Sequence, residues 1–474
     1  MDDHAIESLG LSQYELMGRA GAAAWQLLQQ RWPRARSIGV ACGPGNNGGD
    51  GYVLARLARA AGYTVHLLAG PDGHPRSEAA RRAGQDWRQS GGVVRVFDGQ
   101  LPEADLWVDA LFGTGLSRPP SGANLALIER LNATRLPILS LDVPSGMDAD
   151  RGSSRLCVRA TACLSFVAAK RGLYTGRACE VEVLLDRLGL PADAFAAFPA
   201  AACLYRSENL ARVLVPRDAD SHKGEFGHVL CVGGEHGMGG AVRLCAEAAL
   251  RAGAGLASVA TRTEGVAALL AARPEAMTHA VEDAAALQVL IQRADVLAVG
   301  PGLGLGDWGS ALFEAAAASG KPMILDADGL GLLAARPRPL PQAILTPHPG
   351  EAGRLLGIGN EQVQADRFAA VEALARKFEC VVVLKGAGTL VAAPGETTAV
   401  IGAGNPGMAT GGMGDVLTGV IAALHAQELP PFLAAVYGAL LHGAAGDAAA
   451  RVDGERGLLP SDLFPHLRRL ANPA

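Results

Sequence analysis

The chain has 474 residues, of which 49% are hydrophobic and 61 are glycine, and its formal charge is −5. That length admits two or three domains with buried sheets and excludes a disordered chain, while the acidic balance without a basic run argues against nucleic acid or anionic membrane as the main partner. Eight scattered cysteines (Cys42, Cys157, Cys163, Cys179, Cys203, Cys231, Cys245, Cys380) with no C-x-x-C pair predict reduced, mostly buried thiols in the cytoplasm rather than a disulfide framework or zinc site.

In chain order, Ser37 to Cys42 predicts a short apolar strand, Gly51 to Ala61 an amphipathic helix, and Tyr63 to Ala69 a second strand. Leu106 to Leu111 and Ile138 to Leu141 are further buried strands. Strands alternating with helices imply parallel pairing through crossovers, hence a doubly wound α/β sheet with ligands at the carboxyl ends of its strands. The run Cys42-Gly43-Pro44-Gly45-Asn46-Asn47-Gly48-Gly49-Asp50-Gly51 joins a strand to a helix. Its amides and acid can face a ribose, an amide or a cation, and the helix start suits a phosphate. Asp109 and Asp142 end or nearly end two more strands, each before a turn, Phe112-Gly113-Thr114-Gly115-Leu116 and Val143-Pro144-Ser145-Gly146. With Asn47 they supply oxygens for a hard cation, and Asp142 alternatively transfers a proton.

An Ala/Pro-rich stretch from Pro191 to Pro216 places the domain junction, giving domains 1–206 and 207–474. The second half predicts strands at His228 to Val232, Ala257 to Thr261, Val296 to Val299, Met323 to Leu325, Ala343 to Leu345 and Val381 to Leu384, separated by Ala-rich helices. Ser221-His222-Lys223-Gly224-Glu225-Phe226-Gly227 precedes the first of these, and Gly233-Gly234-Glu235-His236-Gly237-Met238-Gly239-Gly240-Ala241 follows it. Gly300-Pro301-Gly302-Leu303-Gly304 and Thr346-Pro347-His348-Pro349-Gly350-Glu351 lie at other strand ends, where the prolines hold His348 in a loop. Lys385, one of only five lysines, ends a strand before Gly386-Ala387-Gly388-Thr389 and suits a phosphate. The turn Gly404-Asn405-Pro406-Gly407-Met408-Ala409-Thr410-Gly411-Gly412-Met413-Gly414-Asp415 ends on a carboxylate where an apolar helix begins. Such a turn binds phosphate oxygens through backbone N–H groups and the helix dipole, and its aspartate can take the proton of an attacking hydroxyl. No signal peptide, lipidation motif or apolar run near the roughly 20 residues of a membrane span is evident.

The order of GPGNNGGDG, VDALFGTGL, LDVPSG, SHKGEFGHV, TPHPGEA, LKGAGT and GNPGMATGGMGD resembles the bifunctional NAD(P)H-hydrate repair family across nearly the whole chain. The resemblance implies a Rossmann-like epimerase domain of the YjeF N-terminal type followed by a ribokinase-like, ADP-dependent dehydratase. The implied substrates are hydrated NADH and NADPH, whose two epimers the first domain interconverts and whose S form the second dehydrates with ADP, giving AMP and phosphate. By motif match, Asn46, Asn47, Gly48, Gly49, Asp50, Gly113, Thr114, Gly115, Leu116, Ser117, Arg118, Pro119 and Asp142 contact the hydrated dinucleotide. Asn47, Asp109 and Ser145 hold potassium, and Asp142 is the acid/base. In the second domain Ala241, Gly302, Gly304, His348 and Asp415 line the hydrate site. Lys385, Gly386, Ala387, Gly388, Thr389 and Gly414 bind the nucleotide with magnesium, and Asp415 is the base. A homo-oligomer is expected. The family usually has a further short segment before the helix that starts here at Met1 to Glu7, which bears on epimerase stability rather than on its ligand loops. The alternative reading is a ribokinase-like vitamin or sugar kinase with an N-terminal ligand-binding domain.

Overall fold

The computed structural model describes residues 6–472 except 8, 71–73, 117, 154–155, 177–180 and 197, and the side chains of 192 and 193. Ser117, Cys179 and most of the Met1 to Glu7 helix expected from sequence therefore lie outside the described residues. The chain divides into two compact units, Met1–Pro199 and Ala200–Ala474.

The first unit is built on seven strands: β1 (Ser37–Cys42), β2 (Thr64–Ala69), β3 (Val94–Val96), β4 (Leu106–Ala110), β5 (Ile138–Leu141), β6 (Ala162–Phe166) and β7 (Glu182–Asp186). They pair in the order β3-β2-β1-β4-β5-β6-β7, every pairing parallel. Strand side chains alternate between faces, and here both faces are buried. Ile38, Val40 and Val108 enter one core with the helices Gln13–Arg31 and Asn46–Ala60, whereas Ala41 and Trp107 enter another with Leu127 and Leu131. Ser12 starts the first of these helices with a capping box, accepting from Glu15 N at 3.2 Å while its own N–H donates to Glu15 Oε2 at 2.7 Å.

The expected helix at Gly51 begins earlier, so Asn46–Asp50 form its first turns rather than a loop. The glycines allow this by close packing, since a Cβ on Gly48 would meet Gly43 O at 1.9 Å. Strands β3, β6 and β7 were not legible in the sequence.

The second unit carries β8 (Cys203–Tyr205), β9 (His228–Val232), β10 (Leu256–Thr261), β11 (Met277–Ala280), β12 (Val296–Val299), β13 (Met323–Leu325), β14 (Ala343–Leu345), β15 (Val381–Leu384), β16 (Leu390–Ala392) and β17 (Ala399–Ile401). Their order is β11-β10-β9-β12-β13-β14-β15-β16-β17-β8, parallel except for the antiparallel pairings on either side of β16. β8 pairs with β17, so the stretch expected to be a junction contains a strand of the second sheet. The division of the units at 199/200 falls inside that stretch.

Helices Met413–Ala426 and Pro431–Asp453 pack into the core of this unit with Val229, Cys231, Ala298 and Ile324. The sequence reading found no span-length apolar run, yet Pro431–Asp453 is long and apolar enough for one by composition. It is mostly buried, as the core helix of an α/β domain is.

Candidate active sites

In the first unit the carboxyl ends of β1, β4, β5 and β6 open on a cavity of about 670 Å³. Of the expected contacts, Asn46, Asn47, Asp50, Gly113, Thr114, Gly115, Leu116, Arg118, Pro119 and Asp142 line it; Gly48 and Gly49 are buried in the adjacent helix turn. Leu16, Met17 and Ala20 of the helix Gln13–Arg31 also line it.

Asp142 holds a left-handed backbone, φ 65°, directly after β5. One carboxylate oxygen accepts from the Lys170 ammonium and the other from Thr114 N at 3.3 Å. Gly113 permits the approach, since a Cβ there would lie 3.0 Å from Asp142 Oδ2. Lys170 also donates to Phe166 O at 2.7 Å and Ser165 Oγ at 3.1 Å, and it lines the cavity. No sequence motif singled it out beyond its being one of the five lysines.

Asp109 and Ser145 are buried beneath this cavity and are not among its lining residues. Asp109 Oδ2 accepts from Ser140 Oγ at 2.7 Å and Ser145 N at 2.8 Å, and Oδ1 from Leu111 N at 3.3 Å. Burial pushes its carboxyl above the usual range against these hydrogen bonds. The Asn47 amide is also buried, and neither its oxygen nor its nitrogen has a hydrogen-bond partner. Among the described residues Asp109 has no ion-pair partner, and its oxygens and the orphaned Asn47 amide are hard donors of the kind that fits a hard cation.

In the second unit Asp415 stands in the first turn of Met413–Ala426, after Gly412 at φ 93°. Burial and the neighbouring Asp326 push its carboxyl up to about 7, against the pull of Lys385. Asp326 follows β13 and is buried, accepting from Lys385 Nζ at 2.6 Å and Thr418 Oγ1 at 3.0 Å. Burial works to raise the Asp326 carboxyl, but Lys385 holds it below the usual range. Glu351 Oε2 lies 3.8 Å from the same ammonium. Gly414 brings the turn onto this pair, as a Cβ there would sit 3.0 Å from Asp326 Oδ2 and 3.2 Å from Lys385 Nζ.

The structure thus brings Lys385, Gly414 and Asp415 together, and adds Asp326 and Glu351, which were not among the expected site residues. Lys385 is committed to carboxylates, so its ammonium is less open than a lone phosphate-binding lysine. Arg367 supports the strand end below it, donating to Leu384 O at 3.2 Å and Lys385 O at 3.3 Å. Thr389 Oγ1 donates to Gly386 O at 3.0 Å and closes the Gly386–Thr389 turn.

His348 caps the helix Pro349–Leu356, its Nδ1 accepting from Gly350 N at 3.0 Å, while the rest of the ring is exposed. Gly302 packs against Ala241, a Cβ on it falling 3.3 Å from Ala241 Cβ, and Gly304 N donates to Asp328 Oδ2 at 2.9 Å. The Gly404 turn is held from behind by Asp447, which accepts from Gly404 N and Asn405 Nδ2, each at 2.9 Å.

Residues 13–172 match the family described as YjeF-related protein N-terminus, and residues 229–469 the family described as NAD(P)H-hydrate dehydratase. The chain is 47% identical over 473 residues to a bifunctional NAD(P)H-hydrate repair enzyme of Coxiella burnetii, covering 99% of this chain and 97% of that one. To its counterpart in Escherichia coli it is 45% identical over 474 residues, covering 99% and 92%. An ADP/ATP-dependent NAD(P)H-hydrate dehydratase of Bacillus subtilis, co-crystallised with ATP and magnesium, matches 57% of this chain and 97% of its own at a TM-score of 0.51 and 30% identity.

Proposed function

We propose that this chain, which belongs to the bifunctional NAD(P)H-hydrate repair family, performs its epimerase chemistry at the Asp142 cavity and its dehydratase chemistry at the Asp415 turn. The first unit interconverts the R and S epimers of hydrated NADH and NADPH. The second dehydrates the S epimer at the expense of ADP.

In the second unit Asp415 takes the proton of the ring hydroxyl, whose oxygen attacks the terminal phosphoryl group of ADP and displaces AMP. Loss of the neighbouring ring proton and of phosphate from the resulting ester restores the dihydronicotinamide. The observation that carries this reading is the Asp415 carboxyl, poised at about 7 at a helix start, where the dipole favours a phosphate. Lys385 to Thr389 and Gly414 hold the nucleotide, and Ala241, Gly302, Gly304 and His348 hold the hydrate. Magnesium, when bound, neutralises phosphate charge. Among the described residues no group of three or more His, Cys, Asp or Glu side chains converges on a metal position.

In the first unit Asn46 to Asp50 and Gly113 to Pro119 hold the dinucleotide against Asp142. Asn47, Asp109 and Ser145 would hold potassium, which would supply positive charge to the site.

The test is to incubate the chain with hydrated NADH and ADP and follow the return of dihydronicotinamide absorbance, with AMP rising in step. Preference for ATP with ADP as product would instead indicate a conventional kinase or an ATP-dependent dehydratase.

A further inference from the structure

We propose that Lys170 is the acid partner of Asp142, and that the two open and reclose the hydrated ring by moving two protons, as an acid and a base do in sugar mutarotation. This rests on the assignment of epimerisation to the Asp142 cavity.

Hydration of a dihydronicotinamide adds water across an enamine, so the hydroxyl sits on the ring carbon bonded to nitrogen. Such a hemiaminal carbon can invert in two ways. In one, hydroxide leaves and water returns to the opposite face, which calls for acid and base groups on opposite sides of the ring. In the other the ring opens: the hydroxyl proton is removed, C=O forms, the C–N bond breaks and nitrogen is protonated. The hydroxyl oxygen and the nitrogen are bonded to one carbon, so this route calls for a base and an acid side by side.

The structure has the second arrangement. The Asp142 carboxylate and Lys170 ammonium are in direct contact, both line the same cavity, and their side chains are 15% and 18% exposed. Carbonyl Phe166 O fixes the ammonium at 2.7 Å, while its longest bond, 3.1 Å to Ser165 Oγ, is the one a ring nitrogen replaces. Asp142 is fixed equally well, by its own N–H to Leu164 O at 2.8 Å and by Thr114 N. Preorganised acid and base groups of this kind are what concerted proton transfer needs.

In the balanced step Asp142 accepts the hydroxyl proton, the C–N electron pair passes to nitrogen, and Lys170 gives nitrogen a proton. The aldehyde then turns about its carbon–carbon bond and exposes its other face. Nitrogen attacks that face, its proton returns to Lys170, and Asp142 returns a proton to the oxygen. No water and no outside proton is consumed, and the pair ends as it began.

Two experiments on the full-length enzyme test this. Lys170→Arg keeps a cation beside Asp142, but a guanidinium does not give up its proton in a protein. Repair of the R epimer should fall on the order of 10²–10⁴-fold in kcat, with KM little changed and S-epimer dehydration intact. A wild-type kcat in Lys170→Arg would reduce Lys170 to a positioning residue and overturn the proposal. With the unaltered enzyme in ¹⁸O-water, enzymatic inversion should leave the hydroxyl oxygen unlabelled, and one label gained per inversion would overturn ring opening. Asp142→Ala separates the two levels of argument. Rapid conversion of the R epimer by that variant would remove the site assignment itself, whereas an inactive Asp142→Ala beside a fully active Lys170→Arg would remove only the role of Lys170.

Discussion

Lys385 and Asp326, 59 residues apart in the chain, form a part-buried ion pair at 2.6 Å beside the Asp415 turn, with the aspartate fully enclosed. This pair sets the electrostatics of the second site. Its lysine faces Asp326, Glu351 and Asp415, and it draws Asp326 below the ordinary carboxyl range while Asp415 stays above it. Two neighbouring aspartates are thereby pushed in opposite directions, Asp326 toward the ionised form and Asp415 toward exchange of a proton near neutral pH.

Lys385→Met should leave Asp326 buried without its partner and cost on the order of 3–5 kcal/mol. Adding Asp326→Asn should recover part of that loss, because a neutral amide does not require a counter-charge. Urea unfolding of the single and double variants measures the coupling. Lys385→Ala should also weaken ADP binding, and unchanged affinity by calorimetry would remove the lysine from the nucleotide site.

Asp415→Asn should lower S-epimer dehydration on the order of 10²–10⁴-fold while leaving nucleotide binding largely intact and epimerisation untouched. In the unaltered enzyme the dehydration rate should rise with pH through about 7, because the base must be ionised to accept a proton. A rate flat between pH 6 and about 8 would assign the base elsewhere.

The same carboxyl predicts a stability effect of opposite sense to its catalytic value. Its folded pKa lies above the ordinary carboxyl range, so the folded state binds the proton more tightly than the unfolded chain. Ionising it therefore costs folding free energy. The cost is absent below its unfolded pKa, grows as pH rises, and is complete above about 7. Asp415→Asn escapes it, and should be more stable than the parent at alkaline pH by an amount on the order of a few kcal/mol, with the difference vanishing toward pH of about 4. Thermal melts of both proteins across that range provide the comparison. A pH-independent difference would contradict the raised pKa.

Asn47, with its buried amide unpartnered, predicts a potassium dependence. Replacing potassium by choline should lower both the epimerisation rate and the melting temperature, since an ion bound only to the folded state stabilises by mass action. Asn47→Ala should be slower than the parent and insensitive to the exchange. An Asn47→Ala protein that still responds to potassium would place the ion elsewhere.

Much of this molecule was legible in the sequence because its information is local. Apolar runs ending near a glycine, carboxylate, histidine or lysine located β1, β5, β9 and β12 to β15, and the glycine-containing motifs marked Asn47, Asp109, Asp142, Lys385 and Asp415. β8 has only three residues and lies within an Ala/Pro-rich stretch, which hides it in the sequence. The helix start at Asn46 was hidden by its glycines, which disfavour a helix by intrinsic propensity and are tolerated there because the backbone must pass close to Gly43.

What only tertiary structure decided is which charges meet. Lys170 reaches Asp142 because β5 and β6 are neighbours in the sheet, and Lys385 reaches Asp326 because β13, β14 and β15 lie side by side. Sequence patterns report how a residue is buried along its own element. The sign and position of the groups opposite it depend on strand order, and those are what give Asp109, Asp326 and Asp415 different surroundings.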